Sequence, residues 1–411
     1  MLFRSGWVAH VRGYFDIAEK FLAQAILIFE QEKDQVDLLD AHFRLGTIYF
    51  SRQDFTEVIR QYDRVRELTL GFDDLNGMLF IKKASAFLIY AYCIAGRLDV
   101  AQKLADEGMT IANTLGELNY TAQLKASEAI IRYYSGDLVG AKERVDEILP
   151  DLYAMNLDWW VFALLTTAGQ VSLETGDLTS CARIGDLIAS FDSKALTAGW
   201  GKCFQRYLWG EILLNLGCLD DAGALFKENI DEQKEKFIEL ISRLGMAKVE
   251  IQQGGLKKSK KELESILENA ENRGFLAIAQ GIKLELLHNA IEQGNERQLQ
   301  AEWKKYSAEL AHSQLKGVKT FYSVLEGRRL IRARKLDNAK AELLAAHNNS
   351  VDHSFVWKNL MALEGLITLG YNTVECKKKG RKLLEKIKFE CEVPELKKPL
   401  EDIINQWPIS H

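Results

Sequence analysis

The histidines and cysteines could support metal or nucleophilic chemistry, but their spacing fits neither. No HExxH pair and no CxxC pair occurs, and no histidine recurs beside a cysteine in an arrangement that activates a nucleophile. We expect the cysteines to be reduced packing residues of a cytoplasmic protein. The histidines stand at positions 10, 42, 288, 312, 347, 353 and 411, and the cysteines at 93, 181, 203, 218, 376 and 391.

Phosphate-binding and catalytic signatures are also missing from the sequence. There is no GxxxxGK[ST] loop, so this stretch of chain should not bind a nucleoside triphosphate in that way. Carboxylates are abundant, but on helices they usually form solvated faces. The sequence therefore predicts no enzyme activity, no cofactor and no metal site.

Composition and charge limit the classes of molecule that this chain is expected to bind. The 411 residues are 47% hydrophobic and 27% charged, with a net charge of -5. Residues 1–200 hold 19 basic and 28 acidic residues, whereas residues 201–411 hold 34 and 30. Neither half is basic enough to make nucleic acid the main partner. No run of about 18 apolar residues occurs, so no membrane partner is expected.

Turn residues recur along the chain at intervals of 36 to 43 residues. A period this regular over the whole length predicts stacked copies of one unit, and thus a single repeat domain spanning residues 1–411. The series is Gly13, Gln53, Gly96, Gly136, Gly176, Gly217, Gly254, Gly294, Arg334 and Gly370.

Each unit is predicted to be a helix, a tight turn and a second helix. Apolar residues lie three and four apart from Met78 to Ala95 and again from Leu98 to Leu115, and the whole chain has only four prolines. Small residues recur seven before and five after each turn residue, where two closely crossing helices need them. Asp137, Asp177 and Asp220 are predicted to cap the following helices. The fold class is therefore all-α, with about nine or ten antiparallel hairpins.

The pattern resembles the tetratricopeptide repeat (TPR). Its signature positions are matched by Gly46, Tyr49, Phe55 and Tyr62, by Gly210, Leu219, Ala222 and Phe226, and by Gly6, Phe15, Ala18, Leu22 and Ala25. The resemblance covers essentially the whole chain and implies a right-handed superhelical solenoid that binds protein partners. The period near 40 departs from the usual 34, and the proline that commonly ends a unit is absent except at Pro150.

The longer period is similar to the sensor regions of large bacterial signal-transduction ATPases of the maltose-activator type. That resemblance implies a signalling or transcription regulator with an ATPase module upstream of this chain. The first hairpin is expected to be truncated at the N-terminus, because Gly6 occupies a packing position close to Met1. Residues 373–411 are expected to form a C-terminal capping segment.

The TPR resemblance also implies which residues line the concave inner surface. In such superhelices the residue after the small packing residue of each first helix points inward. This interpretation gives a mixed and mainly polar row, proposed as a groove for a protein, a peptide or a small effector. The candidate binding residues are Tyr90, Gln170, Glu211, Lys248, His288, Arg328 and Arg332. The alternative is a hydrated wall with no single ligand.

Three basic clusters remain, and each has two interpretations. They are Lys257–Lys261, the group Arg328, Arg329, Arg332, Arg334 and Lys335, and Lys377–Lys382. They form either solvated helix surface or a site for an acidic protein or nucleic acid. The sequence as a whole predicts a non-catalytic interaction or effector-sensing domain. The alternative is a free-standing TPR scaffold that assembles a multiprotein complex.

Overall fold

The protein is all-α, as the sequence predicts. In a computed structural model, described for residues 1–69, 75–191, 200–232 and 236–408, every regular element is an α-helix. The helices are α1 Leu2–Val11, α2 Phe15–Glu32, α3 Gln35–Ser51, α4 Phe55–Thr69, α5 Leu75–Ile94, α6 Leu98–Leu115, α7 Leu118–Ser135, α8 Leu138–Ala154, α9 Asp158–Thr175, α10 Leu178–Ser190, α11 Trp200–Asn215, α12 Leu219–Glu232, α13 Lys236–Gln252, α14 Leu256–Asn272, α15 Leu276–Gln293, α16 Glu296–Ala311, α17 Lys316–Arg332, α18 Leu336–Asp352, α19 Val356–Thr368, α20 Thr373–Glu390 and α21 Pro394–Gln406.

The helices pair as hairpins across the predicted turns. Odd-numbered helices come first in each hairpin, and α1 with α2, α3 with α4, α11 with α12 and α17 with α18 are packed pairs. All ten turn residues of the repeat series have positive φ, from +55° at Arg334 to +87° at Gly136. Gln53 and Arg334 adopt this left-handed conformation although they carry a Cβ, so the turn geometry is kept where glycine is missing.

Small residues lie where the two helices of a hairpin cross, also as predicted. The nine residues five after each turn residue are buried, from Ala18 to Ala339, with at most 2% of their surface exposed. A Cβ added to Gly46 would lie 2.4 Å from the ring of Tyr62, and one added to Gly210 would lie 2.6 Å from that of Phe226. These close approaches identify the hairpins as TPR-like.

Two of the three predicted helix caps are present. Asp137 accepts a hydrogen bond from the backbone of Gly140 at 2.9 Å, and Asp177 accepts one from that of Ser180 at 3.0 Å. The prediction for Asp220 is wrong, because this residue lies inside the first turn of α12 and accepts a hydrogen bond from the side chain of Gln253. The aspartate stands two positions after the N-cap position, Cys218, and is too late to satisfy the free amides of the helix start.

The contacts divide the chain into two compact units. Unit 1 comprises residues Met1–Ile131 and Asn269–Ala277, and unit 2 comprises Arg132–Glu268 and Ile278–His411. In unit 1, the turn between α14 and α15 packs on the turn between α3 and α4. The backbone N–H of Phe55 donates to the carbonyl of Arg273 at 2.8 Å, and the rings of Phe55 and Phe275 meet edge to face at 5.2 Å.

Unit 2 joins hairpins that lie far apart along the chain. His353, at the end of α18, lies 3.1 Å from the carbonyl oxygen of Gly136, and the hydroxyl of Thr179 donates to the carbonyl of Glu390 at 3.1 Å. A periodic pattern of nearest-neighbour hairpins does not predict such contacts. They bring first helices from the two ends of unit 2 together and so position the site described next.

The cysteines are free, and five of the six are buried. This agrees with their predicted role as packing residues. Among the described helices, none has a stretch apolar and long enough to cross a bilayer.

Candidate functional site: an inner charged network in unit 2

Charged side chains follow one another along the first helices of unit 2. Glu174 on α9, Glu211 on α11, Lys248 on α13 and Glu285 on α15 recur at intervals of 37 residues. Because successive first helices lie side by side in stacked hairpins, equivalent positions become neighbours.

Lys248 and Glu211 form the tightest ion pair of this row. The ammonium of Lys248 lies 3.1 Å from each carboxylate oxygen of Glu211, whose side chain is only 8% exposed. Burial lowers the pKa of Lys248, but the charges of Glu211, Glu285 and Glu174 outweigh it and raise that pKa. The lysine therefore stays charged and neutralises several carboxylates at once.

A second cluster lies on α15 itself. The Nδ1 atom of His288 is 3.1 Å from Glu285, and its Nε2 atom is 3.8 Å from Glu292. Burial raises the pKa of Glu285, but the hydrogen bond from His288 and the charges of His288, Lys248 and Arg328 reverse this and lower it. Glu285 is thus a buried carboxylate that remains ionised.

Arg328 on α17 extends the row of charged residues from α15 to α19. Its guanidinium lies 3.9 Å from Glu292 on α15 and 3.7 Å from Glu364 on α19. Lys358, also on α19, returns to α9, where its ammonium is 2.5 Å from Glu174. The connected residues therefore lie on six helices, and the last of these helices, α19, contacts the first, α9.

We call this set the inner charged network. It consists of Glu174, Glu211, Lys248, Glu285, His288, Glu292, Arg328, Lys358 and Glu364. Five of these residues are carboxylates, three are permanently charged cations and one is His288, so carboxylates are in excess even when the histidine is protonated. Carboxylates outnumber the permanently charged cations by two, and such an excess of negative charge favours a positively charged neighbour.

Tyrosines stand at the α9–α11 end of the network. Tyr133 and Tyr207 are partly buried, and burial together with the nearby charges of Glu174 and Glu211 raises the pKa of both. Aromatic faces and carboxylates together attract cations. This end of the network is therefore suited to an ammonium or guanidinium group.

Four of the predicted site residues belong to the network, namely Glu211, Lys248, His288 and Arg328. Gln170 lies one turn before Glu174 on α9 and is partly buried. Arg332 lies at the exposed end of α17, next to the turn at Gly294.

Tyr90 belongs to unit 1 and is not part of the network. Its ring is 5.9 Å from the rings of both Phe50 and Phe55, in an aromatic cluster of the first hairpins.

Five network residues were missed by the sequence reasoning: Glu174, Glu285, Glu292, Lys358 and Glu364. Three of them stand three or four positions from a predicted residue, on the same helix face as Gln170 or His288. Searching one turn on either side of each inward position would have found these. Lys358 and Glu364 lie on α19, beyond the last inward position that was predicted.

Unit 1 contains a separate cleft. It has a volume of about 530 Å³ and lies among α2, α3 and α4, with Glu30, Arg60, Asp63 and Arg64 at its edge. His42 lines it and pairs through Nδ1 with the amide oxygen of Gln61 at 2.8 Å. The other ring nitrogen of His42 is buried without a partner among the described residues.

The basic clusters differ in how far they are neutralised. In the first, Lys258 pairs with Glu250, and Lys260 pairs with Glu302 at 2.7 Å. In the second, Arg328 and Arg329 both contact carboxylates. In the third, Lys377, Lys378, Lys379 and Lys382 are exposed and meet no carboxylate of the described chain. Nor do the described His, Cys, Asp and Glu residues form a group that could hold a metal ion.

Comparison with known proteins gives structural similarity alone. No protein-family model matches the chain, and no curated protein matches it. Yeast Tom70 has a TM-score of 0.36 and 12% identity over 98% of this chain and 94% of its own. The human IFIT1 dimer with PPP-AAAA has a TM-score of 0.38 and 14% identity over 90% and 91%. Both TM-scores lie below 0.5, and the helices described above define the architecture by themselves.

The helix pairs, their turns and their small crossing residues define a TPR-like helical repeat protein.

Proposed function

We propose that this chain is a non-catalytic interaction module and that its inner charged network binds a basic segment of a protein partner. The observation that supports this is the sign of the network, in which five carboxylates outnumber three fixed cations. A lysine or arginine side chain from a partner would supply the missing positive charge. The gain in hydrogen bonding would offset the desolvation of the ligand's charge.

Lys248 provides an internal precedent for the ligand's charged group. Its ammonium pairs with Glu211 and is further stabilised by the charges of Glu285 and Glu174, as a ligand's ammonium would be. Solvent reaches the network there, because the side chains of Lys248 and Glu174 are each 25% exposed and that of Glu292 is 37% exposed. A basic side chain can therefore approach without opening a helix pair.

The wider role is proposed on the sequence resemblance alone. In a bacterial signal-transduction regulator, this module would dock a partner or sense an effector while an ATPase module upstream performs the switching. The protein would then act in the cytoplasm.

A titration tests the binding proposal. A fluorescein-labelled dodecapeptide of alternating lysine and serine is added to the protein, and binding is followed by fluorescence anisotropy. Replacing Glu174 and Glu292 by glutamine removes the two most accessible network carboxylates, and we expect it to weaken binding about tenfold. These positions are partly exposed, so the hairpins should stay folded.

The matched control replaces two exposed glutamates outside the network, Glu268→Gln and Glu375→Gln. It changes the net charge equally, so it should bind the peptide within about twofold of the unmodified protein. Equal weakening by both double variants would mean that only overall charge matters, and the proposed site would be wrong.

A further inference from the structure

The outer face of α20 is a second interaction surface, of opposite sign to the inner network. Its buried side carries Cys376, Gly380, Leu384 and Ile387, which pack inward. The opposite side is formed by the residues that face solvent along the whole helix: Val374, Lys378, Arg381, Lys382, Glu385 and Phe389.

Large apolar side chains mark both ends of this face. Phe389 is 91% exposed and Val374 is 83% exposed. They are separated by four turns of helix, or about 22 Å at 1.5 Å per residue. Single exposed apolar residues are ordinary on a surface, but two on one face with cations between them form a pattern that a partner can read.

The cations between the two ends are mostly free to bind a partner. Lys378 and Lys382 are exposed, and no carboxylate of the described residues pairs with them. Lys377 and Lys379, on the flanks of this face, are also exposed and have no carboxylate partner among the described residues. Four lysine ammonium groups within six residues therefore point to a negatively charged partner.

From these observations we propose that the outer face of α20 docks an acidic segment of a protein partner. Apolar side chains of that segment would cover Phe389 and Val374, and its carboxylates would pair with Lys378 and Lys382. A protein fits better than nucleic acid or an anionic lipid surface, because Glu385 lies within the face and pairs with Arg381 at 3.9 Å, so the face carries both signs of charge. A uniformly negative surface gains little at this pair, whereas a protein can place a carboxylate opposite each lysine and a neutral group opposite Arg381 and Glu385.

A titration with an acidic peptide tests this surface. The probe is a fluorescein-labelled dodecapeptide of glutamates in which every fourth residue is leucine. The variant Lys378→Glu/Lys382→Glu should bind it at least about tenfold more weakly, because attraction becomes repulsion at both contacts. Phe389→Ser should also weaken binding, by about three- to tenfold, because the apolar anchor is lost.

The chain offers a closely matched control on α14. Lys257 and Lys261 are likewise four positions apart, exposed and without a carboxylate partner among the described residues. The variant Lys257→Glu/Lys261→Glu makes the same charge change away from α20 and should bind the peptide within about twofold of the unmodified chain.

Three outcomes would overturn the inference. The first is unchanged affinity for Lys378→Glu/Lys382→Glu, and the second is equal loss for the α14 variant. The third is tighter binding of phosphatidylglycerol vesicles or of single-stranded oligouridylate than of the acidic peptide, lost in the same α20 variant. Because the probe and the substitutions differ from those used for the inner network, failure of one proposal leaves the other standing.

Discussion

Trp357 donates its indole N–H to the backbone carbonyl of Leu173, 184 residues earlier in the chain, at 2.8 Å. The next residue, Lys358, pairs with Glu174 beside the same carbonyl. Two adjacent residues of α19 thus hold the end of α9 through one neutral and one charge-assisted bond. This contact brings the two ends of the inner charged network together.

Removing the indole N–H should loosen this contact. We expect Trp357→Phe to lower the free energy of unfolding by about 1 kcal/mol, the net value of one buried hydrogen bond. Hydrogen exchange should rise at the end of α9. The control is Trp209→Phe on α11, where the indole has no hydrogen-bond partner among the described residues. If both variants lose the same stability in urea, the hydrogen bond is not what joins the helices.

The two partners of the buried ion pair should not be equivalent. Lys248→Met leaves Glu211, Glu174 and Glu285 without their shared cation, so we expect a loss of about 2–4 kcal/mol. Glu211→Gln leaves Lys248 beside two other carboxylates and should cost clearly less. Urea unfolding of both variants measures the difference. Equal losses would show that Lys248 and Glu211 act as an isolated pair rather than as part of an acidic network.

Glycine at a helix crossing should be irreplaceable, whereas an uncrowded helical glycine should not. A Cβ at Gly210 would meet Phe226 at 2.6 Å, whereas a Cβ at Gly281 meets no atom within 4 Å. We therefore expect Gly210→Ala to destabilise unit 2 by about 1–3 kcal/mol through overpacking. Gly281→Ala should stabilise it by about 0.5–1 kcal/mol, because alanine favours the helix. Thermal unfolding that moves in the same direction for both would contradict the crossing assigned to Gly210.

Unit 1 should lose stability on acidification. Burial lowers the pKa of His42 and of His10 below the ordinary value of 6.5. Since the unfolded chain then binds protons more readily than the folded one, the stability contribution is complete above about pH 6.5 and declines as the pH falls below it.

Replacing the histidine tests this dependence. His42→Gln should flatten the fall in unfolding free energy between about pH 7 and about pH 5. The control for the loss of an imidazole is His312→Gln, because His312 is exposed and directly follows the last residue of α16. A slope that His42→Gln leaves unchanged would mean that another group controls the acid sensitivity.

The repeat pattern predicted the fold because the same short-range requirements recur in each of about ten units. Turn residues with positive φ and buried small residues at the crossings are local requirements, so each can be read from residues a few positions apart. Residue type alone does not predict the left-handed turns at Gln53 and Arg334. Their position in the repeat does. The handedness of the superhelix, the single-domain boundary and the capping role of residues 373–411 stay predictions.

The candidate site was less predictable, for a different reason. Glu211, Lys248, His288 and Arg328 follow the inward period and were found from it. Lys358 contacts Glu174 only because hairpins far apart along the chain meet in unit 2. The return of the network from α19 to α9 depends on that long-range contact, and no local spacing encodes it.

The central proposal is that Lys248 occupies the place of a ligand's ammonium, and affinity measured on Lys248→Met tests it most directly. The lysine–serine peptide should bind this variant at least about threefold more tightly than the unmodified protein, at a temperature where both are folded. Affinity for the acidic α20 peptide should not change. Weaker binding of the lysine–serine peptide to Lys248→Met would contradict the assignment of the inner network as a site for a basic ligand.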